Sequence, residues 1–134
     1  MKREAISKLI YQNIKDHQLQ LKKQFLTSKN QIGFFYLDDL LPEEIALEIY
    51  NYFPDLKNTV ERKSLRERKF TAYQMNSYHS LLEEVVFAFQ DKKVVQLISE
   101  ICEIKELLPD AHLYAGGVSL MTKGSFLNPH LDNS

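Results

Sequence analysis

His130 and Asp132 are separated by a single leucine. In an extended strand, side chains alternate between faces, so residues i and i+2 point the same way. An imidazole and a carboxylate then stand side by side, which is the beginning of a hard-to-borderline metal site. Two His and one carboxylate on one face of an octahedron hold a non-haem Fe(II) and leave positions open for co-substrate and oxygen. A chance H-x-D is expected in roughly one such chain in five, so the pair gains weight from its frame. No second His follows Asp132, only Asn133 and Ser134.

That frame is a period-two run from His112, with Gly116-Gly117 as a kink or bulge and Lys123-Gly124-Ser125 as a turn signal. Gly124, Phe126, Pro129, His130 and Asp132 follow in an order that resembles the first metal-ligand hairpin of the Fe(II)/2-oxoglutarate-dependent dioxygenases, on their prolyl-4-hydroxylase-like branch. The run from Gly33 through Phe34, Phe35, Tyr36 and Leu37 to Pro42-Glu43-Glu44 resembles that family's first strand and first core helix. The resemblance covers residues 33 to 134, strong at the hairpin and loose between 55 and 105.

The resemblance implies a double-stranded β-helix, a jelly roll with the iron inside. His130 and Asp132 are then two of three iron ligands, with 2-oxoglutarate as co-substrate and ascorbate as a candidate accessory reductant. Many members carry a Tyr three residues before the turn Gly, reaching the 2-oxoglutarate carboxylate. Met121 stands there and cannot donate a hydrogen bond; Tyr114 is the candidate substitute. Asn133, beside the ligand Asp, and Asn128 are candidates for orienting the ligands or lining the entrance. The family's distal His and its Arg or Lys clamp lie downstream of the H-x-D. The expectation is therefore an N-terminal portion of such an oxygenase, its barrel unclosed, catalytically silent by itself.

Composition bounds the other readings. A chain of 134 residues with 44% apolar and 26% charged residues fits one ordinary globular domain. A net charge of −1 gives no electrostatic reason to expect nucleic acid. The lone Cys102 excludes an internal disulfide and fits a reducing compartment. No apolar run approaches the ~20 residues of a membrane span, and no apolar stretch follows Met1-Lys2-Arg3-Glu4 as in a signal peptide. Cytoplasm is the expected location.

The elements that must position the pair read as α+β: N-terminal helices packed on the first strands of an incomplete jelly roll. Residues 1–30 hold one amphipathic helix, from 4 to about 26, with Ile6, Leu9, Ile10, Ile14, Leu21 and Phe25 on its stripe and His17 among them. Residues 31–110 hold a buried strand at Gly33–Leu37, a helix from Pro42 to Phe53, a mixed-charge loop or edge strand at 55–69 and a strand at Phe70–Met75. Two helices follow, the first capped by Ser80 with Glu83 three later, the second by Asp91. Residues 111–134 hold the ligand hairpin. Sheet edges left open by the unclosed barrel invite self-association or a partner strand. Two other classes compete: a non-enzymatic helical interaction module with an incidental H-x-D, and a cupin-like metal-binding domain without oxygenase chemistry. The substrate itself is not legible.

Overall fold

Apolar side chains at three- and four-residue spacing build a helical core. The computed structural model describes residues 1–112 and 116–130. Ile6, Ile10 and Ile14 of α1 (Arg3–Asp16) and Leu21 of α2 (Gln18–Ser28) are buried. They pack against Leu81 and Ala88 of α4 (Ser80–Ala88) and Val94, Leu97 and Ile101 of α5 (Lys92–Cys102). The single helix expected over 4–26 is two helices, broken at His17 (φ −104°, ψ 7°). The Asn13 carbonyl accepts both the His17 N–H, at 3.3 Å, and the ring Nδ1–H, at 2.8 Å. A side chain inserted on a ladder carbonyl is a recognised cause of a helix bend.

Caps and one ion pair fix the helix ends. Asp91 accepts from Lys93 N–H (2.9 Å) and Val94 N–H (3.4 Å), as expected for an N-cap. At α4 the expectation shifts by one residue: His79, not Ser80, is the cap, its Nδ1 accepting from Leu81 N–H at 3.2 Å. The His79 ring stacks on Tyr52 at 3.4 Å, which holds it in that role. Glu84 takes the Arg3 guanidinium at 2.6 Å and the Arg3 N–H at 2.6 Å, and the guanidinium lies 4.6 Å over the Phe87 ring. This ties the start of α1 to α4.

The buried strand expected at residues 33–37 is corrected: the segment forms no strand and none of its residues is fully buried, because its backbone pairs with side chains of a helix. The Gln24 carboxamide and the Ser28 hydroxyl take the backbone groups of Tyr36 and Phe34. Phe35 and Leu37 pack on the helical core while Phe34 and Tyr36 stay exposed. The chain then enters α3 (Glu43–Asn51), whose Ile45 is buried.

The sheet is open and antiparallel. β1 (Val60–Lys63) and β2 (Glu67–Ala72) pair from Val60↔Thr71 to Lys63↔Arg68. The strand expected at 70–75 thus starts earlier and stops at Ala72. The other edge of β2 takes β3 (Val118–Leu120), with Thr71↔Ser119, and β4 (Phe126–Leu127), with Glu67↔Leu127. Both run antiparallel to β2, so they run in the same direction. The expected hairpin over 111–134 is therefore corrected for the described residues: β3 and β4 are two pieces of one strand course, interrupted by an excursion at 121–125. Gly124, at φ +85°, supplies the left-handed position in that excursion, and Ser125 N–H closes it on the Thr122 carbonyl at 2.8 Å.

Paired residues share a face. Ala72 and Val118 face the helices, where Val118 packs on Met75 and Leu82. The protein is α+β: five α-helices and an open antiparallel sheet of four strands among the described residues. No helix among those residues is long and apolar enough to cross a membrane.

Candidate functional site

His130 is positioned by the turn between β1 and β2. Ser64 tightens that turn: its N–H donates to the Glu67 carbonyl at 2.8 Å, and its Oγ accepts from Arg66 and Glu67 N–H. Asn128, just past β4, docks on the turn twice. Its N–H donates to the Arg66 carbonyl and its Nδ2 to the Leu65 carbonyl, both at 2.8 Å. The Asn128 carbonyl in turn lies 2.8 Å from His130 Nδ1. A carbonyl only accepts, so Nδ1 carries a proton, and in the neutral ring the lone pair is on Nε2.

The remaining site residues fall in different places. Asp132, Asn133 and Tyr114 lie outside the described residues. Met121 opens the excursion and is 54% exposed; it does not line the cleft described next. His112 sits in the exposed turn after α5, its N–H donating to Asp110 Oδ1 at 3.2 Å. His17 is half-buried at the helix break. Desolvation pushes the Cys102 thiol up, which favours its protonated form. Among the described residues, no three of His, Cys, Asp and Glu come together as a metal site.

The sheet face away from the helices carries a feature the sequence did not announce. Register places Arg62 opposite Lys69, and Thr71 opposite Ser119, on that face. They line a cleft of about 380 Å³ together with Tyr73 and Gly117. Lys69 Nζ lies 2.7 Å from Glu67 Oε2. That bond is the main reason the Glu67 carboxyl sits below its usual range; the charges of Lys69, Arg62 and His130 lower it further. His130 therefore stands within electrostatic reach of this face. On the reverse face of the same strands Arg68 Nε lies 3.0 Å from Glu61 Oε1, with Lys63 paired opposite Arg68. The signal was in the sequence as parity: Arg62 and Lys69 alternate with Glu61 and Arg68 across a short turn.

No protein-family model, curated protein or solved structure matches this chain.

Proposed function

We propose that this chain carries the first ligand strand of an Fe(II)- and 2-oxoglutarate-dependent hydroxylase of jelly-roll fold. His130 and Asp132 are assigned as two of its three protein ligands. The observation that carries the reading, beside the sequence resemblance, is the Asn128–His130 bond. Metal-binding His residues donate their second ring N–H to a carbonyl or carboxylate, which fixes the tautomer and raises ligand basicity. His130 has that partner at 2.8 Å, and the partner is itself fixed by two bonds to the β1–β2 turn.

The donor chemistry suits a borderline metal: an imidazole with its lone pair on Nε2 and a carboxylate two residues on. His130 and Asp132 would hold iron, which when bound would supply the chemistry for 2-oxoglutarate-dependent hydroxylation of a C–H bond. The chain's own residues would do the holding: Asn128 orients His130, the β1–β2 turn orients Asn128, and the open face of the sheet supplies one wall.

With two protein ligands in these residues, Fe(II) binding should be weak and succinate release absent from the 134-residue chain alone. The test is anaerobic Fe(II) titration followed by NMR line broadening. Broadening centred on His130, lost in both His130→Ala and Asp132→Ala, supports the assignment. Metal affinity unchanged in both variants would sink it.

One observation favours a second reading, an interaction module without chemistry. Ile32, Phe34 and Tyr36 are 78%, 56% and 66% exposed along the segment beside α2, an apolar row suited to contact with a partner. That reading expects no metal effect of His130→Ala at all.

A further inference from the structure

We infer that the cleft on the open face of the sheet binds a small anionic group, a carboxylate or a phosphate, borne by an organic body that lies along Tyr73. Arg62 and Lys69 stand opposite each other on adjacent strands and both line the cleft. The next rung adds the hydroxyls of Thr71 and Ser119. A guanidinium fork and an ammonium beside hydroxyls make the donor set that oxyanions take. Glu67 does not cancel it. Its carboxylate occupies Lys69 at 2.7 Å, one direction of an ammonium with three donors. Two cations against one carboxylate leave this face with an excess of one positive charge.

Size and shape give the rest. About 380 Å³ is far more than the ~30 Å³ share of one water, so the cleft has room for a body behind the charged group. Gly117 forms part of the wall at φ +155°, and a Cβ there would lie 2.7 Å from the Ala72 carbonyl. Only glycine fits, and no side chain fills that end. Tyr73, 52% exposed, offers a ring to the body of the ligand.

This inference needs no iron. The test titrates inorganic phosphate, and separately glutarate, into the isotope-labelled chain at low salt. Saturable shifts are expected at the Thr71, Tyr73, Gly117 and Ser119 amides. Arg62→Ala and Arg62→Gln should each weaken binding by about tenfold, while Arg66→Ala, outside the cleft, leaves it in place. The tighter of the two probes identifies the oxyanion. Absence of saturable shifts with both probes overturns the inference, as does unchanged affinity in a folded Arg62 variant. Both probes lack the 2-oxo group and require no metal, so this inference and the iron reading fail separately.

Discussion

The Gln24 carboxamide takes both backbone groups of Tyr36: Oε1 accepts its N–H at 2.9 Å and Nε2 donates to its carbonyl at 3.2 Å. One side-chain amide thus plays the part of a neighbouring strand. Ser28, one helical turn on, accepts the Phe34 N–H at 2.9 Å, and its single hydroxyl proton is within reach of the Phe34 carbonyl at 3.0 Å and of the Gln24 and Phe25 carbonyls of its own helix at 2.9 and 3.1 Å. The spacing of four along α2 matches the spacing of two along an extended chain, because both advance about 6 Å.

Gln24→Ala should therefore release the segment without unfolding the helices. The Tyr36 amide is expected to exchange with solvent markedly faster, and stability to drop by about 1 kcal/mol, since water reaches the freed groups. Hydrogen exchange read by NMR checks both. Gly33→Ala attacks the same junction from the other side. Its Cβ would fall 2.6 Å from the Phe25 ring, so a loss of about 1–3 kcal/mol is expected.

Ile10 is fully buried where α1 meets α4 and α5. Ile10→Ala removes buried carbon and leaves a cavity, an expected loss of about 2–5 kcal/mol. Urea denaturation should show an earlier midpoint with an unchanged slope.

The Arg3–Glu84 pair sets an acid limb on stability. The Arg3 side chain holds the Glu84 carboxyl below its ordinary range, mainly by hydrogen bonding. A depressed native pKa contributes stability that is complete above the unfolded value, about 4.3, and is lost as pH falls through the native one. Glu84→Gln should flatten that limb. At pH 7 it should lower stability by about 1 kcal/mol, the Arg3 side chain being 41% exposed and so screened. Thermal melts from pH 7 to pH 3 read this out.

Asn128→Ala removes the bond to the Leu65 carbonyl. An expected loss of about 1 kcal/mol should come with faster exchange at the Asn128 amide and a changed His130 ring signal. An unaltered His130 signal would separate the ring from the turn.

Much of the helical layer was legible, because Val94, Leu97 and Ile101 repeat at the period that buries one face. The break at His17 was not. Ile14 and Leu21 keep their spacing of seven across it, so periodicity reads straight through. At Gly33–Leu37 the alternation correctly sends Phe35 and Leu37 inward, but alternation is silent about what the backbone pairs with. The turn signal at Lys123-Gly124-Ser125 likewise marks a local reversal without saying that both flanks return to β2. Of the candidate site, His130 was read from its motif. Arg62 and Lys69 were passed over because neighbouring acids made the stretch look uniformly solvated, and only strand register sorts those charges onto opposite faces.

The excursion at 121–125 has one more consequence. Leu120 and Phe126 are each aligned by β2, and Asn128 by the β1–β2 turn, so none of them depends on the path between. Residues can be added or removed there, changing the size of a surface protrusion while His130 keeps its bearing. That makes this loop a natural spot for a probe or an epitope.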